Sequence, residues 1–517
     1  MPHKKTKLRR EKLARIQSLK DGSHQLPKDY PIPAERLAEL EQQIFGKIVY
    51  PGDPDYDAAK TEFNPAYPAF PIIIIFCACL GDVRASLELA RQFDIWAVAR
   101  AGRHSLAGYS VCDGMVIDVS AMDSVIVDPV TKTATVGAGL QFAKFNAHLQ
   151  SYGLHVPGGG CPTVCVAGYM QGGGYGFTTR EFGIHSDNVL AFKMVLADGQ
   201  VVTANENQNS DLYWAVRGGT GNQFGILIEI TYRLYELGKI WGIKLEWPSR
   251  SYPEEAAQAL LTIQDAYINS PDLNHLGFQT VLGYDTNYDD ELRVIFCGVF
   301  NGDEAAFEAA IKPLMDIGHH QVAKRMYDHY STVDETLLEG VPDIPGPYVK
   351  GMSQSCYLAH DLELTDWRDI IEFVSKHAPN HWTTIDMEAY GGQASAVPQD
   401  ASAFIHRDVK MDFFCDVFWD KDEDKGDNVK FLQDLMVFMK KYSNGHSFQN
   451  YPCRLQEDWK WAYFGRNYPS LVWVKQKYDP SNFFHYQQSI TAELDEEHMC
   501  DYAKVLFDDP VIVYDNY

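Results

Sequence analysis

Between residues 100 and 114 the chain reads RAGRHSLAGYSVCDG. Three glycines, two arginines and a histidine fall in one stretch between an alternating apolar segment (Ile95, Ala97, Ala99) and a second, VIDVS. Glycines let the backbone adopt positive φ and approach a ligand closely. Successive amides in such a turn form a nest for an anion, so the loop reads as a phosphate cradle, with a plain turn as the alternative. A second stretch, GLHVPGGGCPTVCVAGYMQGGGYGFTTREFGIHSDNV (153–189), sets two triple-glycine runs on either side of a cysteine-bearing turn. Together the two loops suggest backbone packed against a large, flat, phosphate-bearing molecule. The spacing gives neither a GxGxxG opening a helix after the first strand nor a GKS/T, so neither a Rossmann nor a P-loop reading is supported. A third stretch, TTIDMEAYGG (383–392), places Asp386 and Glu388 two apart. On a strand both face the same side.

The elements around these loops follow from hydrophobic period. IIIIFCA and IWAVAR read as strands, with GDVRASLELARQF between them as a helix carrying Asp82 near its start. MVIDVS, ATVGAG, VLAFKMVLADGQVVTA and ILIEITYRL are strand-like, the Asp198-Gly199 pair marks a hairpin turn, and LQFAKFNAHLQSYG is a helix among them. From about residue 240 glycine thins out. LRVIFCGVF and the aromatic MDFFCDVFW read as strands, while DEAAFEAAIKPLMDIG, WRDIIEFVSKHAP and FLQDLMVFMKKY read as amphipathic helices. A sheet with helices on one face is the arrangement this implies. The end of the chain gives a helix and a turn at Asp479-Pro480.

The 517 residues suffice for two or three domains, and no apolar run approaches the roughly 20 residues of a membrane helix. With 45 basic and 70 acidic side chains the formal charge is −25, which argues against nucleic acid or an acidic membrane as partner. MPHKKTKLRREKLAR at the start is basic but lacks the apolar centre of an export signal; it reads as a solvated, poorly ordered tail of a cytoplasmic protein. The ten cysteines show neither CxxC pairs nor metal-ligand spacing, so reduced thiols and no metal site are expected.

Several stretches in order resemble the vanillyl-alcohol oxidase / p-cresol methylhydroxylase flavoprotein superfamily, in its berberine-bridge-enzyme-like branch. They are PGDPDYDAA (51–59), RAGRHS (100–105), PGGGCPTV (157–164), GGGYG (172–176), DLYWAVRGGTGNQFGI (211–226) and NYPSLVWVKQKYDPSNFF (467–484). The resemblance implies an α+β fold: a PCMH-type FAD-binding domain of two subdomains at 67–239 and a substrate domain at 240–455 with a large antiparallel sheet backed by helices. A lead-in at 1–66, a C-terminal segment at 456–500 returning to the FAD domain, and a tail at 501–517 complete it. It also implies FAD held covalently through His104 and Cys161. Arg100, Ala101, Gly102, Arg103, Ser105, Gly158, Val164, Gly168, Gly172, Gly173, Gly174, Gly176, Gly225, Ile226 and Asn482 fall at cofactor-binding positions. Two positions depart from the family pattern: Arg103 and Cys165 stand where glycines are usual. Arg103 either neutralises pyrophosphate or points to solvent, and the C-P-T-V spacing favours Cys161 over Cys165 as the linker.

A flavin takes hydride from a C–H bond, so the protein must place that carbon and remove a nearby O–H proton. In the resembling family a Y-x-N-Y motif often supplies a tyrosine base. Here the stretch is FQNY (448–451), with Phe448 first and Tyr451 kept. Tyr451 or Glu388 is therefore the expected base, with Asp386 in reserve; packing and solvated strand positions are the plain alternatives. Val164 leans toward oxygen access, Arg407 of FIHR toward structure, and Tyr109 toward either the pocket mouth or the surface. Trp382, Tyr390, Phe413, Phe414, Phe418 and Trp419 offer stacking surfaces or core. The resulting expectation is an FAD-dependent oxidase. It would remove hydride from an alcohol or hemiacetal carbon of a sugar or hydroxylated secondary metabolite and pass electrons to O2, giving hydrogen peroxide. Oxidative ring closure or C–C bond formation on an alkaloid or polyketide, and a non-catalytic flavin-binding protein, are the competing readings.

Overall fold

The computed structural model describes residues 2–285, 291–331, 337 and 349–493, with backbone alone at 2–9 and 271. The segment 501–517 and the last residues of 456–500 lie outside the described residues.

The basic N-terminus departs from expectation: Pro2–Lys20 is a helix. Lys, Arg, Glu and Leu are strong helix formers, and proline suits the first helical position. Its second half is docked, with Leu19 buried and Arg15 paired to Glu41 at 3.5 Å and Asp53 at 3.3 Å. A poorly ordered tail is therefore not what residues 10–20 form.

The first sheet has the order β1 (Lys47–Val49), β2 (Ile73–Phe76), β4 (Met115–Asp118), β3 (Ala97–Arg100). Strands β2 and β3 both run parallel to β4. Parallel pairing requires a crossover, supplied by the helix Leu80–Gln92. Asp82 in its first turn is fully buried and accepts the amides of Phe45, Gly46 and Ala78, fastening the lead-in to this helix. The second sheet is antiparallel, built of β5 (Val125–Asp128), β6 (Thr133–Gly137), β8 (Val189–Val195), β9 (Val201–Asn205) and β10 (Ile226–Arg233) in the order β5-β6-β10-β8-β9. Asp198-Gly199 does turn the β8–β9 hairpin, Gly199 taking φ 83°. A short β7 (Leu154–His155) pairs with β11 (Tyr235–Glu236).

The third sheet is antiparallel throughout. Its strands are β12 (Ile240–Pro248), β13 (Leu276–Gly283), β14 (Arg293–Phe300), β15 (Gln321–Tyr327), β16 (Lys350–Leu358), β17 (Thr384–Ala389) and β18 (Met411–Trp419), in the order β15-β12-β14-β13-β17-β18-β16. Period-2 alternation divides it into two faces. Ile243, Leu245, Phe278, Phe296, Ile385, Met387, Phe413, Cys415 and Val417 join one apolar core with the helices Pro253–Ile263, Leu364–His377 and Lys425–Met439. The intervening residues form the other face. Phe413 and Trp419 thus belong to the core, while Phe414 and Phe418 alternate onto the opposite face. Tyr390 is buried in a separate aromatic cluster with Tyr175, Tyr357 and Phe448.

The last described helix returns to the first two sheets. Leu471 and Val472 of the helix Tyr468–Tyr478 enter their core. Lys475, wholly buried, donates to Asp479 (2.7 Å) and to the carbonyls of Gln223 and Phe484.

Candidate active site

Arg100 and Arg103 hold the 100–106 loop from its base. The Arg100 guanidinium is buried between Asp118 (2.7 Å) and Glu62 (3.2 Å) and caps the Ala59 carbonyl. A charge so spent anchors the loop, and only the Arg100 backbone is left to face a ligand. Arg103 does not point free into solvent. At φ 65° it turns its guanidinium back onto the Ala58 carbonyl (2.9 Å), and its own carbonyl accepts the Phe63 amide. The Ser105 hydroxyl accepts the Tyr109 amide; Ala101, Gly102 and Ser105 are half-buried.

His104 and Cys161 converge on one side chain that the sequence reading passed over. The His104 Nε2 lies 2.9 Å from the Thr163 hydroxyl, and the Cys161 sulfur lies 3.8 Å from the same oxygen. Burial pushes the His104 pKa down to about 4, so its ring is neutral at physiological pH and keeps a lone pair. Cys161 is exposed. Cys165 is buried, bonds the Gly139 carbonyl, and has its thiol pushed up to about 12 by burial; it is structural. Its neighbour across the gap explains Gly102, whose Cβ would sit 2.8 Å from the Cys165 amide nitrogen.

The second glycine segment serves the protein's own packing as much as a ligand. A Cβ at Gly172 would meet the Asn450 side chain, at Gly173 Phe404, at Gly174 Tyr169, at Gly176 the Gly158 carbonyl, and at Gly158 the Phe142 ring. Gly173 and Gly174 also hold φ of 109° and 88°. Gly225 is closed off by Met194 and Val195, and Ile226 is core. Val164 is half-buried against the same core. Gly168 differs: it is exposed and nothing lies within 4 Å of its Cβ direction. Asn482, at φ 51°, keeps a buried Oδ1 with no hydrogen-bond partner.

These features fit FAD. An open strip at Gly168, an orphaned acceptor at Asn482, and a neutral imidazole and a thiol beside one hydroxyl are what such a cofactor would use. Tyr109 is half-buried, its ring against Tyr486 (4.5 Å) and under Arg454.

The carboxylates lie on the polar face of the third sheet. Cross-strand register sets Glu388 opposite Asp412, Asp386 opposite Phe414, and Thr384 opposite Asp416. The Tyr451 hydroxyl donates to Glu388 Oε1 at 2.7 Å, and its ring stacks on Phe414 at 4.1 Å. Gln279 donates to Asp386. Phe448, where the motif tyrosine was expected, is buried edge-on to Tyr451. Among the described residues none of these four carboxylates forms an ion pair. Burial, reinforced by Asp416, raises Asp386 to about 8; burial raises Asp416 to about 6. Burial and then Asp412 lift Glu388 well above the usual carboxylate range, and burial does the same to Asp412. Burial, with Glu388 second, pushes Tyr451 up as well. Asp412 was read only as part of an aromatic strand; its signal was its register with Glu388, which a single strand does not display.

Contacts join the two halves. Asn450 donates to the Tyr169 carbonyl and packs on Gly172, so the FQNY loop rests on the second glycine run. Arg407 pairs bidentately with Asp187, in the structural role expected.

Residues 71–205 match the FAD binding domain family, and 447–491 match the berberine and berberine-like family. The chain is 29% identical over 453 residues to an uncharacterised FAD-linked oxidoreductase of Bacillus subtilis, spanning 87% of this chain and 98% of that one. Among solved structures, the berberine-bridge-enzyme-like protein 1 of Physcomitrella patens superposes with TM-score 0.80 at 24% identity, covering 89% of this chain and all of that one. A chitooligosaccharide oxidase superposes at 0.78 and 24% identity with the same coverage. The fold, the two glycine loops and these matches define an FAD-binding oxidoreductase. More narrowly, its family matches, its sequence relatives and its structural neighbours are berberine-bridge-enzyme-like and FAD-linked oxidoreductases.

Proposed function

We propose that the protein is an oxidase that takes hydride from the carbon of an alcohol or hemiacetal, in a sugar or a hydroxylated secondary metabolite, and delivers the electrons to O2 as hydrogen peroxide. The two glycine loops would hold FAD, with His104 and Cys161 as its tethers, and the bound flavin would supply the hydride acceptor. The observation that carries the reading is the Tyr451–Glu388 hydrogen bond on the substrate sheet. Tyr451 receives the substrate hydroxyl proton as its own passes along the 2.7 Å bond to Glu388. A tyrosine alone, with pKa about 10, is a poor base near neutrality; a carboxylate taking up its proton removes that barrier. Glu388 must be ionised to do so. Two carboxylates set side by side away from counter-ions do not both ionise readily, so Glu388 becomes free to accept as the pair gives up its proton, above the usual carboxylate range. Phe414, stacked under Tyr451, fixes the plane of the phenol. The likeness to a chitooligosaccharide oxidase supports a carbohydrate substrate.

Oxygen uptake and peroxide release over a panel of mono- and oligosaccharides and hydroxylated aromatics test the reaction. Turnover with an artificial dye but none with O2 would exclude the oxidase assignment. Acid precipitation tests the tether: a yellow pellet with FAD mapped to His104 and Cys161 supports it, and free flavin in the supernatant removes it.

A further inference from the structure

The lead-in, 56–64, runs along the whole length of the 100–106 loop. Glu62 meets Arg100 and Ser110. The Ala58 carbonyl accepts from Arg103, and the Phe63 amide donates to the Arg103 carbonyl at 2.9 Å. Asn64, buried, reaches in two directions at once. Its Nδ2 donates to the Leu106 carbonyl (2.8 Å) and to the Gly351 carbonyl (2.9 Å), and its Oδ1 accepts the Gly351 amide. Gly351 lies on β16 opposite Phe418, on the substrate sheet. One short segment therefore registers the loop that carries His104 against the sheet that carries Glu388. At the centre of that segment the Phe63 ring stacks on His104, with centroids 4.5 Å apart and planes at 28°.

We infer that Phe63 is a positioning residue for His104, fixing the imidazole in the orientation from which it bonds the flavin. This rests on the reading of His104 as a flavin tether. The argument is geometric. An imidazole on a glycine-containing loop has two orientations to lose, the tilt of its plane and the rotation within that plane. The Phe63 ring fixes the first. The hydrogen bond between Nε2 and the Thr163 hydroxyl fixes the second and leaves Nδ1 as the nitrogen for a ligand. Removing either constraint returns rotamer freedom that must be lost again at each attempt at bond formation. Attachment forms one N–C bond at His104 and breaks one C–H of the flavin methyl and one N–H of the ring. The two electrons and two protons leave with dioxygen as hydrogen peroxide.

The test uses the full chain in a C161S background, where His104 is the single tether, and reads the covalent fraction by intact mass after denaturation. The expected result is a fall of at least fivefold for Phe63→Ala and Phe63→Leu, and recovery with Phe63→Tyr or Phe63→Trp, at unchanged total flavin before denaturation and unchanged melting temperature. Phe63→Leu keeps apolar volume without a ring plane, so it remains informative where Phe63→Ala folds poorly. Covalent attachment in Phe63→Leu as complete and as fast as in its parent would overturn the inference. A C161S parent with no covalent flavin at all would overturn the tether reading itself, and this inference with it.

Discussion

The flavin loops and the substrate sheet hold their chemistry in opposite ways. At the loops, His104, Cys161 and Thr163 sit in short contiguous motifs, and most of the surrounding glycines are explained by the close packing of neighbouring side chains and backbone. On the sheet, the acids come from strands about 25 residues apart in sequence, β17 and β18, and no local motif holds Glu388 and Asp412 together. They meet because antiparallel register puts them opposite one another on the face that the helices leave uncovered. A site built from loop motifs tolerates changes in strand packing; a site built from register is lost by any shift of one residue, which sends every side chain to the other face. The loops bind, and the sheet performs the proton chemistry.

The largest effect that separates the two regions is expected at the sheet. Tyr451→Phe keeps the stack on Phe414 and removes the hydroxyl, so kcat should fall by about 10²–10⁴-fold with flavin content and its spectrum unchanged. A loss of flavin along with activity would show that the two regions are not separable. Gly172→Ala comes next. Its Cβ would run into Asn450, which is anchored on Tyr169, and overpacking of this kind costs about 1–3 kcal/mol. Activity should fall about tenfold through displaced Tyr451, measured beside Gly168→Ala, which meets no neighbour and should leave the Tyr451 chemistry alone.

The same contrast accounts for what the sequence disclosed. The strands of the first two sheets and the helices after 240 follow hydrophobic period, and the 100–108 and 157–176 loops stand out by composition alone. Asp386 and Glu388 were legible because a two-residue spacing fixes one face. Asp412 was not, since its partner lies on another strand and Met411 to Trp419 reads as apolar. Thr163 gave no signal because a threonine in a turn is ordinary. The contacts of Arg103 were not legible for a physical reason: at a positive-φ position its side chain points back along the lead-in, onto carbonyls that only the folded chain brings near. The basic N-terminus was taken for a tail because its carboxylate partners, Glu41 and Asp53, are more than 25 residues away.

The smaller effects concern titration and the unused thiol. Asp412→Asn removes the like charge beside Glu388, so the acidic limb of the pH profile of kcat/KM should move to lower pH, by about one unit or more. An unmoved limb would mean that the groups facing Glu388, namely Asp386, Asp416, Tyr451, Tyr175 and Tyr390, set its proton without Asp412.

Stability carries the same sign. An unfolded aspartate titrates near 3.9, whereas in the fold Asp386 keeps its proton to about pH 8 and Asp416 to about 6. Between those limits the folded protein binds more protons than the unfolded chain, so stability is highest at the acidic end of the window and falls as pH rises. Asp386→Asn should therefore flatten the melting-temperature profile between about pH 4 and 8, with a gain of a few degrees near pH 8 and little change at pH 5. A parallel offset across the whole range would assign Asp386 a packing role alone.

The smallest effect belongs to the loops, where Cys161 and Cys165 lie four residues apart with opposite fates. Cys165→Ser replaces a buried thiol that already bonds the Gly139 carbonyl, so a hydroxyl can take over that bond. Flavin attachment should stay complete and the melting temperature should drop by no more than a few degrees. Cys161→Ser replaces an exposed thiol whose contact with the Thr163 hydroxyl a serine can keep, so its folding should be unaffected while one of the two bonds to flavin disappears. If Cys165→Ser were the variant that lost the bond, the turn between them would have to open on flavin binding, carrying Thr163 away from His104. The loops would then be as dependent on conformational register as the sheet, and the division between a binding region and a proton-transfer region would fail.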